Sequence, residues 1–486
     1  MSAKREPAAG PRDRARARRP GTNPGPMKPP PPPASNSPVG PAAPRVRSSR
    51  QPGRPMNRRR LPALIAALVA SAALVFVALP GHSQETPGED EPLPERGVVI
   101  EIDSPERSLY KIAIPNLRGS ATMGSAGADV VRNDLTLVSL FQVLDSRSFI
   151  ADLDAEGLGI TPASWSAVGA QGVVKGEIRQ RGGSIEVEMR LYELSRGDSA
   201  TLTKVYRGSP GELRGFMHDF ANEVLRVLTG EAGAFDSRIL FGRRLGPGRK
   251  DVYVAHWDGH SVGRVAGGDG VNMLPSFGPG GIWYSRLTDM GMFITHSNAN
   301  GRRIIDGDGL NMGPTICNGK VYFTSTRDGN SEIYSADTDG SNVRRITRHP
   351  AIDVSPSCGP GGRLAFVSTR HGSPQIFVMN GNGSGVRRVT FRGSHNQTPS
   401  WCMRGDQPMI AFTGRSGGLD VFTVNIATQE YTRLTQAQGT NKDPAFSPDC
   451  RMVAFWSNRG GIFVSNPEGA NQNLVIPGGA ETLRWR

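Results

Sequence analysis

From about residue 239 onward, apolar residues fall in short runs set between Gly-, Pro-, Asn- and Asp-rich turns, the pattern of short antiparallel strands. The runs recur as a set. An anchor proline is followed two positions later by a large residue: Phe277 after Pro275, Trp401 after Pro399 and Phe446 after Pro444, with Ile316 and Cys358 after Pro314 and Pro356. A second run follows a Gly-rich turn, as in Ile282–Tyr284, Val321–Phe323, Leu364–Val367, Ile410–Phe412 and Val453–Trp456. A Ser/Thr-x-Arg-x-Gly turn then leads to Ile333-Tyr334, Ile376-Phe377, Val421-Phe422 and Ile462-Phe463. A fourth run reads Arg345–Thr347, Arg388–Thr390 and Arg433–Thr435. The anchors lie 39, 42, 43 and 45 residues apart. A repeat of this length with four short strands predicts a β-propeller, each unit one blade.

The blade count comes from the ends. Ile239–Phe241, Val252-Tyr253 and Arg264-Val265 match the second, third and fourth strands of a blade with no first strand. Trp485 matches the aromatic two places after an anchor. The C-terminal strand is therefore expected to complete the first blade and close a six-bladed ring over residues 235–486, which removes exposed sheet edges.

Residues 98–234 are patterned differently. Val98–Ile102 and Tyr110–Ile114 read as strands, and Asp129–Phe141 carries apolar residues at helical spacing. Val143-Leu144 reads as a short strand, and Pro162 opens a helix bearing Trp165. Gly172–Ile178 and Ser184–Leu194 read as strands, the second with Ile185, Val187, Met189 and Leu191 on one face. An amphipathic helix from Glu212 to Leu228 stops near Gly230. The expected fold class is an α+β N-terminal domain followed by an all-β propeller. His218, this domain's single histidine, is expected on the surface of its helix.

Residues 1–55 are rich in Pro, Arg, Ala and Gly and are expected to be disordered. Met56-Asn-Arg-Arg-Arg and the apolar stretch Leu61–Leu79 read as a secretory signal peptide over 56–83, with Met56 as the expected start of translation. An uncleaved anchor is the rival reading, since a span needs about 20 apolar residues. The helix-breaking Pro80-Gly81 and the polar residues after it favour cleavage, after Ser83. Residues 84–97 form an acidic linker.

Charge changes the picture less than its total suggests. The chain has 57 Lys+Arg and 44 Asp+Glu, a net of +13. The whole excess lies in the first 60 residues, so the folded part shows no basic excess, where a nucleic-acid binder should keep a basic face of its own. No metal-ligand spacing or phosphate loop stands out, and no cofactor is expected. Cys317, Cys358, Cys402 and Cys450 fall one per blade; neighbours could pair if their Cα atoms come within about 7 Å, or stay buried as thiols. Gly414-Arg415-Ser416-Gly417-Gly418 fits Gly-x-Ser-x-Gly, but the nucleophile elbow requires a strand-turn-helix setting. Here Ser416 reads as the variable position of the repeated turn, beside Asp328 and His371 of its siblings.

Three residues before each anchor stands Asn272, Asn311, Asp353, Asn396 or Asn441. Each belongs to a loop joining one blade's outer strand to the next blade's inner strand, so all should ring one mouth of the channel. One reading is local, an Asx turn that sets up the proline. The other is a partner-binding rim formed by these residues with Val271, Met312 and His395. The two are compatible.

Signal peptide, small α/β domain and six blades with Pro-x-Phe/Trp, Ser-Pro-Asp, Ser/Thr-x-Arg-x-Gly and Arg-x-Thr signatures together resemble the TolB family of periplasmic Tol–Pal proteins. The likeness covers roughly residues 98–486. Its specific echoes are Val99-Ile100-Glu101-Ile102-Asp103, Ser164–Gly169, and Leu228-Thr229-Gly230 before Gly233-Ala234-Phe235. The resemblance implies a scaffold, not an enzyme, located in the periplasm. It implies a propeller mouth that binds the lipoprotein Pal, through the loops 271–274, 310–313, 352–355, 395–398 and 440–443. It also implies an N-terminal segment, here Val98, Val99, Ile100, Glu101, Ile102 and Asp103, that engages TolA or folds back on the protein. Two features depart from the family: the acidic stretch before Val98, and apolar Val271 and Met312 at the rim. Two other classes fit the residues, a carbohydrate or peptidoglycan binder and a peptidase-associated propeller module.

Overall fold

The computed structural model describes residues 109–486 except Asp269. The N-terminal extension, signal peptide, acidic linker, first expected strand and segment Val98–Asp103 lie outside the described residues.

The first domain is a five-stranded sheet in the order β2-β1-β3-β4-β5, with β1 (Tyr110–Ala113), β2 (Phe141–Val143), β3 (Gly172–Arg181), β4 (Ser184–Glu193) and β5 (Leu202–Gly208). β1 runs parallel to both β2 and β3, while β3, β4 and β5 are antiparallel. Two long helices cover one face: α1 (Ala121–Leu137) and, after α2 (Leu153–Glu156) and α3 (Pro162–Ala167), α4 (Leu213–Thr229). α1 begins earlier than apolar spacing predicts. Ser120 caps it by accepting from the Met123 amide, and its first turns are built of small residues. Gly124 is needed there, because a Cβ would lie 2.0 Å from the Leu117 carbonyl oxygen. The chain turns at Ser139, with φ +58°, so Phe141 begins β2 instead of ending the helix. β5 carries no apolar run to announce it; Tyr206 anchors it by stacking on Phe216 of α4 at 5.2 Å. Gly230 ends α4 in the left-handed conformation, φ +83°.

The propeller has six blades. Glu481–Trp485 pairs antiparallel with Arg238–Gly246 and supplies the innermost strand of blade 1, with Trp485 opposite Ile239. The Trp485 indole stacks on Trp257 and donates to Ser237 Oγ at 2.6 Å. Blades 3 to 6 are four-stranded; in blade 2 the outermost strand shrinks to one bridge, Ile294 to Ile305.

Each innermost strand carries a β-bulge at the residue before the anchor. Leu274, Gly313, Ser355, Thr398, Asp443 and Thr482 all take positive φ, between 53° and 66°, and the ladder shifts register there in every blade. Left-handed backbone is costly for Leu and for β-branched Thr. Bonds between blades hold the other three bulges: the amides of Gly313, Ser355 and Asp443 donate to Ser285, Thr324 and Thr413 hydroxyls of the preceding blade, at 2.8, 3.2 and 2.9 Å.

Two disulfides tie neighbouring blades: Cys317–Cys358 joins blades 3 and 4, and Cys402–Cys450 joins blades 5 and 6, with Cα atoms 5.4 and 6.0 Å apart. Both sit where the innermost strands end. The first domain packs on blades 1 and 6 at this same end. There Asn471 Nδ2 donates to Ser139 Oγ at 2.7 Å, and Arg451 pairs with Glu231 at 3.0 Å.

His218 corrects the expectation of a surface residue. It is buried in this interface, bonded to Asp134 of α1 at 2.7 Å, with Asp258 of blade 1 at 3.3 Å from its other nitrogen. Arg214 pairs with the same Asp258. Burial, with the Arg214 charge, pushes the His218 imidazole down to about 4, and burial raises the Asp134 carboxyl well above its ordinary range.

Candidate partner-binding mouth and channel

The mouth at which the innermost strands start is built from the inter-blade loops and the hairpins joining second to third strands. The five Asn and Asp residues lie in its wall, but not at its surface: Asn272, Asn311, Asp353, Asn396 and Asn441 are only 0–2% exposed. Their side chains bond into the blades. Asn311 Oδ1 accepts from Ser325 Oγ at 2.8 Å and Arg327 at 2.9 Å. Asp353 accepts from Arg370 at 2.8 Å. Asn396 Nδ2 donates to Gln375 Oε1 of the preceding blade at 2.8 Å, and Asn441 Nδ2 reaches Asp420 in the same way at 3.5 Å. Asn272 Nδ2 donates to the Lys250 carbonyl at 3.3 Å. These are mainly ties within and between blades, in place of the expected Asx turns. Burial raises the Asp353 carboxyl, against the Ser368 and Arg370 contacts that lower it.

The next residue along alternates to the channel side. Met312 and Val354 line a narrow central cavity of about 60 Å³ with the bulge residues Leu274, Gly313, Ser355, Thr398, Asp443 and Thr482. The same register position holds Met273, Gln397, Lys442 and Glu481 in the other blades. Lys442 pairs with Asp443 at 3.2 Å, and Glu481 pairs with Lys250. Of the other expected rim residues, Val271 is half-buried against Leu287, and His395 is half-buried with its imidazole pushed down by burial. The structure thus brings Met312 to the channel, leaves Val271 and His395 beside it, and withdraws the five Asn and Asp side chains.

One channel residue was missed. Arg484 lies at the position after the anchor, where other blades carry Ser276, Thr315, Ser357, Ser400 and Ala445. It lines both the central cavity and a wider one of about 590 Å³ at the opposite mouth, shared with Phe277, Pro279, Ile316 and Trp485. Burial lowers its pKa, and Asp443 acts against that. An arginine where siblings are small is the sequence signal that marks it.

The fifth repeated turn also needs a correction. The ladders place Asn396 opposite Gly414, as Asn311 stands opposite Ser325, Asp353 opposite Ser368 and Asn441 opposite Ser457. Gly414 therefore holds the Ser position of the motif, and Ser416 the Arg position of Arg327, Arg370 and Arg459. The apparent Thr413-x-Arg415 match is one residue out of register. Arg415 points to solvent.

Comparison with known proteins agrees with this architecture. A family model described as the TolB amino-terminal domain matches residues 98–200, and one described as the TolB beta propeller domain matches 225–417. The Tol-Pal system protein TolB of Anaeromyxobacter dehalogenans (strain 2CP-C) is 35% identical over 310 residues, covering 60% of this chain and 66% of the relative. That of Desulfosudis oleivorans is 31% identical over 264 residues, covering 51% and 60%. The chain thus spans slightly less than two thirds of these relatives' length. The crystal structure of TolB from Acinetobacter baumannii superposes with a TM-score of 0.65 at 25% identity, over 78% of this chain and 96% of that one.

Proposed function

The chain belongs to the TolB family, and from that premise we propose that it is a non-catalytic periplasmic scaffold of a Tol–Pal system. The mouth where the innermost strands start receives a Pal-like lipoprotein. The segment Val98–Asp103 engages TolA, linking inner-membrane Tol proteins to the outer membrane. The cellular role is outer-membrane integrity and invagination during division. The observation that supports this most is the joint arrangement of a small α/β domain and a six-bladed ring, matching a TolB structure over 78% of the chain. At the mouth, half-buried Met312, Val354, Gln397 and Lys442 offer the mixed apolar and polar surface that protein interfaces use.

Capture from envelope extract tests the proposal. Recovery of a Pal-like lipoprotein is expected. Recovery of glycan fragments without the lipoprotein would favour a second reading, a peptidoglycan-fragment binder. That reading draws on the cavity of about 590 Å³, lined by the aromatic residues Phe277 and Trp485 and by Arg484.

A further inference from the structure

Five blades carry an aromatic pair across their second and third strands, with ring centroids 5.6–6.1 Å apart: Phe241–Tyr253, Phe323–Tyr334, Phe366–Phe377, Phe412–Phe422 and Phe455–Phe463. In blade 2 the second-strand aromatic Tyr284 faces Thr295, so no pair forms. Four of the five pairs carry an arginine from their own hairpin. Arg243 lies 5.2 Å from both ring centroids in blade 1. Arg327 lies 5.8 and 5.2 Å from them in blade 3, and Arg370 lies 5.6 and 5.1 Å away in blade 4. Arg459 lies 4.2 Å from Phe463 in blade 6. In blades 3 and 4 the same guanidinium donates to the residue three before the anchor, Asn311 or Asp353, at 2.9 and 2.8 Å. The repeat therefore builds a guanidinium socket: two ring faces below and an amide or carboxylate oxygen at the side.

Blade 5 keeps the walls and lacks the guest. Phe412, Phe422 and Asn396 are in place, but the motif arginine is Ser416 and the motif serine is Gly414. The space is a cavity of about 260 Å³, open to solvent beside Arg392, Arg415, Ser416 and Tyr431. Asn396 donates both amide hydrogens, to Gln375 and to the Arg392 carbonyl. Its Oδ1 is the atom that accepts from the arginine in blade 3; here it accepts no bond among the described residues. Arg433 approaches Phe422 at 5.7 Å, but it is the fourth-strand arginine, held by Asp420 and the Ser416 carbonyl. Its counterpart Arg345 in blade 3 is held by Glu332 while Arg327 still fills the socket. Unlike Arg345, Arg433 lies over a ring of its own blade's pair, so a guanidinium seated in blade 5 shares the Phe422 face with it.

We propose that the blade 5 socket receives an arginine side chain from a protein partner, seated on Phe412 and Phe422 and donating to Asn396 Oδ1. The cavity opens at the mouth assigned above to the partner. Which protein presents the arginine rests on that reading; the socket's chemistry does not. Lysine would be a poorer guest, because an ammonium cannot lie flat on the rings and reach a lateral acceptor at once.

The test is a titration of the isotope-labelled full chain with N-acetyl-arginine amide, followed at the Gly393 and Gly414 amide resonances. Saturable shifts are expected, with at least tenfold weaker binding of N-acetyl-lysine amide. Ser416→Arg restores the sibling guest and should abolish the shifts while keeping the fold, checked by thermal melting. Arg415 lines the solvent side of the cavity, and Arg415→Glu should strengthen binding by replacing a nearby positive charge with a negative one. Shifts with N-acetyl-aspartate but not with the arginine probe, weakened in Arg415→Glu, would overturn the proposal in favour of an anion site. Equal shifts in Ser416→Arg and wild type, or no shifts with the arginine probe, would also overturn it. None of these outcomes depends on whether a Pal-like lipoprotein is captured.

Discussion

The two mouths of the propeller are held together by different means. Where the innermost strands end, the structure collects both disulfides, the Trp485–Trp257 stack of the closing strand and the contacts of the first domain. Where they start, blades are joined by hydrogen bonds from the bulges and from buried Asn and Asp side chains. The first end is clamped covalently and by a second domain; the second is held by hydrogen bonds between neighbouring blades and by ion pairs within blades. The covalent and interdomain ties are thus concentrated at one face of the ring, and the proposed partner surface lies at the other.

That contrast can be broken most severely at the clamped end. Removing residues 481–486 strips blade 1 of its inner strand and exposes the face that buries Leu483 and Trp485. The loss should be roughly 5 kcal/mol or more, judged from large-to-small core substitutions. It would be read as a collapse of the thermal midpoint, and an unchanged midpoint would remove closure from the account. Loss of one disulfide should cost less. Each closes a loop of 41 or 48 residues, about 4 kcal/mol in the chain-entropy estimate. Comparing urea unfolding of the wild type with that of Cys317→Ala/Cys358→Ala measures it. At the other end, Asp353→Ala leaves Arg370 without its buried acceptor and should cost about 2–3 kcal/mol; a loss below 0.5 kcal/mol would show that the buried ring is dispensable.

A smaller effect belongs to the domain interface. The His218 imidazole titrates near 4 in the native state and near 6.5 when unfolded. Between these values the unfolded chain binds the extra proton, so His218 makes the native state lose stability as pH falls from 6.5 towards 4, by up to about 3 kcal/mol. His218→Asn loses packing and hydrogen bonds at pH 7, but it escapes this penalty. The stability gap between variant and wild type should therefore narrow as pH falls; a gap that widens would contradict the buried neutral imidazole.

The repeat was legible because it is periodic. Register carried from blade to blade located the closing strand from Trp485 alone, although that strand lies more than 200 residues from its partner. Register inferred from letters failed where the letters were degenerate. Thr413-x-Arg415 imitated the repeated turn one residue out of phase, and only the pairing of Asn396 with Gly414 exposed it. The Asn and Asp ring was found correctly along the chain and misjudged in depth, because these side chains bond to residues of the same and the preceding blade, partners that the spacing of the repeat does not reveal. Pairing of the cysteines depends on Cα separations that spacing does not encode. His218 was misjudged for a similar reason: what buries it is Asp258, 40 residues further along the chain, in another domain.

The central claim is that the mouth where the innermost strands start is the partner surface and the clamped mouth is structural. It is tested most directly by binding of a Pal-like lipoprotein to two variants, Met312→Lys at the first mouth and Ile316→Lys at the second. The account predicts at least a tenfold weaker complex for Met312→Lys, with the thermal midpoint kept, and wild-type affinity for Ile316→Lys. Undiminished binding by Met312→Lys together with loss in a folded Ile316→Lys would contradict it.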